Sequence, residues 1–225
     1  MVSNSEPLPE GTVIMAGTQY AGRGQMESKW YSEPGKNLTF SILFYPGFLS
    51  LNEQFNLNMA ISIGIQHALT KLTGTGLSVK WPNDIYFGAK KIGGILIENI
   101  VAGNRIKACI VGIGINVNQE NFENELETKA GSLYQILQKH VNLELLLPQL
   151  CSHIEVAYLK LRTGNYKSIQ EEYIKLLYRF NENARYRQNG EIIIGKITGV
   201  SDTGFLILET NAGIISCNFK EIEFV

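Results

Sequence analysis

With 225 residues, 44% apolar and 18% charged, the chain is too apolar for a disordered segment and has room for one sizeable domain plus a small one. Its net charge of −1 excludes a global basic field for nucleic acid, and no apolar run reaches the roughly 18–20 residues that span a bilayer. The N-terminal MVSNSEPLPEG lacks the charged and apolar regions of a signal peptide. Cys109, Cys151 and Cys217 are far apart with no Cys-x-x-Cys pair, which points to reduced packing residues of a cytoplasmic protein rather than to disulfides or zinc.

Residues 1–11 read as a solvated lead-in, and Thr12 to Thr18 as a weakly alternating strand. A polar, glycine-bearing loop follows from Gln19 to Trp30. Asn37 to Tyr45 is a strand rich in aromatic and branched residues, closed by Pro46-Gly47. Ser50-Leu51-Asn52-Glu53 has the capping-box pattern and predicts a helix whose apolar residues cover more than one stripe, so it should be well buried; Gly74 and Gly76 stop it.

Leu77 to Trp81 reads as a strand ended by Pro82, with turn chemistry in Pro82-Asn83-Asp84. Ile85 to Phe87 resumes a strand, Gly88-Ala89 turns it, and Lys91 to Glu98 returns. Inside the return strand, Gly93-Gly94 weakens the strand in a way that close approach of a ligand or backbone would explain. Ile106 to Asn118 is a further buried strand, interrupted by Gly112 and Gly114. A polar loop over 119–129 leads to a short helix near Ser132 to Gln138. Leu146 to Leu161 is predicted helical with Pro148 confined to its first turn, and Ser168 to Glu171 is predicted to cap a helix running to about Tyr178. From Ala184 the period becomes two. Asn189-Gly190 signals a hairpin, two more turns follow, and a small barrel is predicted. The domain boundary falls at 1–180 and 181–225.

Three features could carry chemistry, and each has a plainer reading. Gly22-Arg23-Gly24 is a tight surface turn, or a lid whose Arg23 takes a phosphate or carboxylate while Trp30 stacks on a ligand. Lys91 is a solvated hairpin lysine, or a fixed cation that stabilises charge building on phosphate. Asn83 and Asn116 are turn residues, or groups that orient phosphates. His67, His140 and His153 are scattered without metal-ligand spacing, and neither a nucleophile elbow nor a phosphate-binding P-loop is present. The residues alone reach a small-molecule or nucleotide site on a mixed sheet.

At KWPNDIYFGAKKIGGILIE (80–98) the chain resembles the biotin protein ligases. The Lys-Trp-Pro-Asn-Asp motif, the basic residue after it and Gly-Gly-Ile-Leu-Ile-Glu stand in the family's order. Gln19, Ala21-Gly22-Arg23-Gly24 and Trp30 look like its biotin-binding loop, and Gly112 to Asn118 like its Gly-x-Gly-x-Asn strand. The resemblance runs from about residue 10 to the end. It implies an α+β fold in which a mixed sheet is flanked by helices, related to class II aminoacyl-tRNA synthetases, with an SH3-like C-terminal barrel.

The implied reaction activates biotin with ATP and Mg²⁺ as biotinyl-5′-AMP, then passes the acyl group to a lysine of a biotin carboxyl carrier protein. Lys91 and Arg23 would be catalytic. Gln19, Gly22, Arg23, Gly24, Gln25, Lys91, Gly93, Gly94 and Gly114 would line the biotin side, and Trp30, Asn83 and Asn116 would face the nucleotide. Metal ligands are not assigned. No DNA or membrane partner is implied, and a sheet edge could form a homodimer.

Two departures stand out. The loop continues as Gln25-Met26-Glu27-Ser28 rather than with further basic residues, and its lost charge should loosen the hold on the adenylate. The family's upstream Ser-Thr-Asn contact has no counterpart, since Ser3-Asn4-Ser5 is not that motif; the expectation is weakened biotin binding and an exposed apolar flank. A lipoate-type protein ligase and a non-catalytic ligand- or carrier-binding module are the competing readings.

Overall fold

The computed structural model describes residues 7–25, 28–122 and 126–225. The lead-in through residue 6, including Ser3-Asn4-Ser5, together with Met26-Glu27 and the middle of the polar loop, lies outside the described residues. The organising helix is α1 (Gln54–Thr73), entered through a short 3-10 turn at Leu51–Glu53. The Glu53 carboxylate accepts from the Ser50 amide at 2.9 Å and hydroxyl at 2.7 Å, so the predicted capping pattern does form. Every residue from Phe55 to Gln66 is buried, as expected of a helix apolar on all sides.

Before α1 lie β1 (Val13–Met15), the two-residue strands β2 (Gly22–Arg23) and β3 (Lys29–Trp30), and β4 (Leu38–Phe44). After it come β5 (Leu77–Lys80), β6 (Asp84–Phe87), β7 (Lys90–Ala102) and β8 (Arg105–Ile115). Six of these form one sheet in the order β1-β4-β8-β7-β6-β5. Every ladder in it is antiparallel, so the expected mixed sheet is an antiparallel one. Edge strand β1 leaves Val13, Ile14 and Met15 exposed.

The sheet has two chemically different faces, because successive side chains alternate. Phe40, Ile42, Ile95, Val111, Ile113 and Ile115 are no more than 3% exposed and share one core with α1. Residues of the opposite parity form rows across the other face. Thr39, Gly114, Gly94 and Asp84 make one row, and Ser41, Gly112 and Leu96 the next. Apart from Leu96 these are small or polar side chains, and they leave room above the sheet.

The helical layer continues with α2 (Leu126–Lys129), α3 (Leu133–Leu137), α4 (Leu143–Arg162) and α5 (Tyr166–Lys175). α1 crosses α4 so closely that a β-carbon on Gly64 would lie 2.6 Å from Ile154 Cα. α4 starts earlier than predicted, at a cap where Asn142 Oδ1 accepts from the Leu145 amide at 3.2 Å. Pro148 therefore sits in the second turn, not the first. The missing amide would have served Glu144, and both residues are exposed, so water can reach the freed carbonyl. α5 likewise starts before Ser168, at Asn165, and ends at Lys175.

The C-terminal region is a five-stranded antiparallel sheet of β9 (Asn183–Gln188), β10 (Glu191–Val200), β11 (Leu206–Thr210), β12 (Gly213–Cys217) and β13 (Ile222–Phe224). Its order, β12-β11-β10-β9-β13, leaves the two edge strands unpaired with each other. Asn189 and Gly190 both have positive φ, 50° and 85°, as a tight two-residue hairpin turn requires. The lead-in is less solvated than expected. Glu10 accepts hydrogen bonds from the Tyr45 amide at 2.8 Å and the Tyr158 hydroxyl at 2.7 Å, and it pairs with Arg162, joining the chain start to β4 and α4. Burial pushes the Glu10 carboxyl up, but the hydrogen bonds from Arg162, Tyr45 and Tyr158 outweigh it and hold the group below its ordinary value.

Candidate functional site

Above the small-residue rows lies a cavity of about 340 Å³, roofed by the β2–β3 hairpin and rimmed by the corner at Pro82-Asn83-Asp84. The corner is fixed from three sides. The Pro82 carbonyl accepts from Asn58 Nδ2 of α1 at 2.7 Å and from the Tyr173 hydroxyl of α5 at 2.8 Å. Trp81 Nε1 donates to the Gly204 carbonyl at 2.9 Å, and its ring lies 5.1 Å from that of Phe219, so the C-terminal sheet braces the corner. The buried Asn83 donates through Nδ2 to the Ile95 carbonyl and accepts from the Ile95 amide, which ties the turn to β7.

Lys91 reaches the cavity through a β-bulge. The β6–β7 register runs Asp84↔Gly94 and Ile85↔Gly93, then jumps to Tyr86↔Lys91, leaving Ile92 as the extra residue. Strict alternation would put Lys91 on the face opposite Gly94. The bulge turns it back. Lys91 Nζ is 2.6 Å from Asp84 Oδ1 and 5.8 Å from the centre of the Trp30 ring. The ammonium is thus held over the glycine floor by one carboxylate, with its side chain 34% exposed.

Trp30 lies flat against Gly114. A β-carbon there would sit 2.5 Å from the indole Cε2, so only glycine allows this approach. The indole Nε1 is buried, with no hydrogen-bond partner among the described residues. Arg23 pairs with Glu98 at 3.1 Å, its side chain 72% exposed.

The structure brings Gln19, Arg23, Gly24, Gln25, Trp30, Asn83, Lys91, Gly94 and Gly114 to this cavity. It does not bring the remaining three. Gly93 faces the core, where a β-carbon would meet Ile115 Cδ1 at 2.7 Å; adjacent residues in a strand cannot both face one ligand. Gly22 is buried beneath Trp30 and Gln19, where it allows the hairpin to close. Asn116 donates to the Gly131 carbonyl at 3.0 Å and stands outside the cavity lining.

The sequence reading missed Thr39, Ser41, Gly112, Asp84, Glu98 and Lys220, all of which line the cavity. For Thr39 and Ser41 a signal exists: polar residues alternating with apolar ones in an otherwise buried strand. Lys220 comes from the C-terminal sheet, a long-range placement that no local pattern gives.

Lys80, opposite Asp84 in register, is desolvated and its ammonium is pushed below its ordinary value; Nζ donates to the Tyr86 hydroxyl at 3.2 Å and lies 4.8 Å over the Phe224 ring. Among the described residues no three His, Cys, Asp or Glu side chains converge on a metal site. The cavity offers Asp84 and Glu98, each already paired with a cation. A magnesium ion here would draw most of its ligands from phosphate oxygens, which suits an ion arriving with a nucleotide.

Comparison with known proteins gives a consistent result. The biotin/lipoate A/B protein ligase family matches residues 2–116, and the biotin protein ligase C-terminal domain matches residues 181–225. The bifunctional ligase/repressor BirA of Bacillus subtilis is 32% identical over 96% of this chain, which spans 66% of that protein's length. The biotin–[acetyl-CoA-carboxylase] ligase of Paracoccus denitrificans is 26% identical, with 89% of this chain and 85% of that one covered. Among solved structures, the biotin protein ligase from Aquifex aeolicus in complex with biotin and ATP superposes with a TM-score of 0.82 at 28% identity, covering 98% of this chain and 91% of that chain.

Proposed function

The chain belongs to the biotin/lipoate A/B protein ligase family, and from that premise we propose that it joins biotin to a lysine of a biotin carboxyl carrier protein through biotinyl-5′-AMP. The reading is supported most by one feature: a bulge-directed lysine, steadied by Asp84, over a floor of glycines that lets a ligand lie against backbone. In the first step a carboxylate oxygen of biotin bonds to the α-phosphorus of ATP, and the bond to the β-phosphate oxygen breaks as pyrophosphate leaves. Two anions must meet. A fixed ammonium at the meeting point lowers the repulsion and stabilises the crowded phosphate, a contribution on the order of 10²–10³ in rate. Magnesium bound to the triphosphate would neutralise further phosphate charge.

In the second step the neutral acceptor amine bonds to the acyl carbon. The bond to the phosphate oxygen breaks, AMP leaves, and the amine sheds its proton. Gln19, Gly24, Gln25 and Gly94 would line the biotin side, with Trp30 and Asn83 towards the nucleotide. The hairpin over the cavity would keep water from the mixed anhydride. Lys220 extends the cationic lining from the C-terminal sheet.

The test is biotin-dependent exchange of pyrophosphate into ATP, beside calorimetry with biotin and with lipoate in the presence of ATP. The proposal expects exchange with biotin and binding of biotin over lipoate. Exchange driven by lipoate would move the chain to the sister activity. Carrier binding without any exchange would make it a docking module.

A further inference from the structure

We propose that Glu98 is a positioning residue for the hairpin over the cavity, and that the Arg23 side chain acts through it rather than on the substrate. This rests on the ligase reading above. The hairpin of β2 and β3 has two paired positions, Gly22↔Trp30 and Arg23↔Lys29, far too few to hold a conformation on their own. Its placement must come from what it touches on the sheet.

Among the described residues, two contacts stand out, beside the Lys91 ammonium 5.8 Å from the centre of the Trp30 ring. Trp30 rests on Gly114 in the middle of the floor. Arg23 Nη2 donates to Glu98 at the rim, 3.1 Å from Oε1 and 3.2 Å from Oε2. Glu98 pairs with Ile110 across β7 and β8, while Gly94 pairs with Gly114. The two anchor points are therefore four residues apart along one strand pair, about 13 Å at the rise of a strand. A short hairpin pinned at both ends of that span covers the cavity between them.

The Arg23 guanidinium has its charge met by a carboxylate on a side chain largely in water. Both cations are met by a carboxylate, but a residue meant to meet a substrate anion gains by being desolvated, and Lys91, only 34% exposed and inside the cavity, fits that better than Arg23 at 72%. An exposed ion pair is worth a factor of roughly 2–5 in a local equilibrium. That is a suitable strength for a roof that must open to admit substrate and to present the adenylate to a carrier lysine.

The experiment compares Glu98→Gln, Arg23→Glu and the exchanged pair Arg23→Glu/Glu98→Arg in the full chain. Two readouts are used: hydrogen exchange of the amides over 22–30 without substrates, and KM against kcat for biotin in pyrophosphate exchange. The single variants should speed amide exchange and raise KM for biotin roughly 2–5-fold with kcat nearly unchanged. The exchanged pair should return both to within about twofold of wild type, and added salt should shrink the difference between wild type and Glu98→Gln.

The proposal is overturned if the exchanged pair stays as impaired as Arg23→Glu, with kcat down on the order of 10²-fold, because Arg23 would then be touching reacting groups. It is also overturned if Glu98→Gln leaves amide exchange unchanged. Amide exchange needs no turnover. If the wild type shows no biotin-dependent reaction while the amides still follow the pair, the ligase reading fails and the latch stands.

Discussion

The corner at Trp81-Pro82-Asn83 and the hairpin at Gly22 to Trp30 face each other across one cavity, and they are built in opposite ways. The corner is buried and held by hydrogen bonds from α1, α5, β7 and the C-terminal sheet. The hairpin has two strand pairs, one ring seated on a glycine and one exposed ion pair. A rigid base with a weakly held roof suits a reaction that must fix two anions and then release a reactive intermediate to a second protein. Free energy of folding is concentrated where geometry must not move.

The contrast can be broken most severely at the seam between the two regions. Gly114→Ala would put a methyl group into the space of the Trp30 indole and lift the roof. Misplacement on that scale should lower kcat/KM for biotin by roughly 10²-fold, measured by pyrophosphate exchange, while the urea midpoint shifts far less. A kcat/KM close to wild type would mean that the ring does not need its seat.

At the base the effect should appear in stability. Tyr173→Phe removes one of two donors to the Pro82 carbonyl and should cost about 1 kcal/mol in urea unfolding. Adding Asn58→Ala leaves that carbonyl without either donor, so the double variant should lose more than the sum of the single ones, by about 1–3 kcal/mol. Simple additivity would show that the corner is held elsewhere.

A smaller effect is expected in the pH dependence. Glu10 is held below its unfolded value of 4.5, so its contribution is present above that value and is lost as pH falls through the folded one. Melting temperature should therefore drop on acidification below about pH 4.5. Glu10→Gln should flatten that part of the profile. The smallest change is expected from Gln25→Arg, which adds a cation to the lining and should slow release of the adenylate several-fold, read by quenched-flow trapping.

Much of this was legible where local chemistry decides. The capping residues Ser50 and Glu53, the Asn189-Gly190 turn and the strand-turn-strand around Pro82 all appear in the structure near their predicted places. The floor glycines were recognised, but which of Gly93 and Gly94 faces the cavity depends on register, and a single bulged Ile92 decides where Lys91 points. Strand direction is not legible in the sequence, because an antiparallel ladder and a mixed one have the same alternation. α4 starts at the Asn142 cap, upstream of the predicted Leu146, and α5 follows Asn165 rather than the Ser168 to Glu171 pattern. Glu10 and Glu98 act through partners far away in sequence, and Lys220 reaches the cavity from a distant turn, beyond the reach of any window.

The central claim is that the ammonium at position 91 offsets the meeting of two anions. Single-turnover formation of biotinyl-5′-AMP in Lys91→Ala, with biotin affinity measured in parallel, tests it most directly. The account predicts a loss on the order of 10²–10³ in the rate of adenylate formation, beyond any loss of biotin affinity. Adenylate formed at the wild-type rate would contradict it.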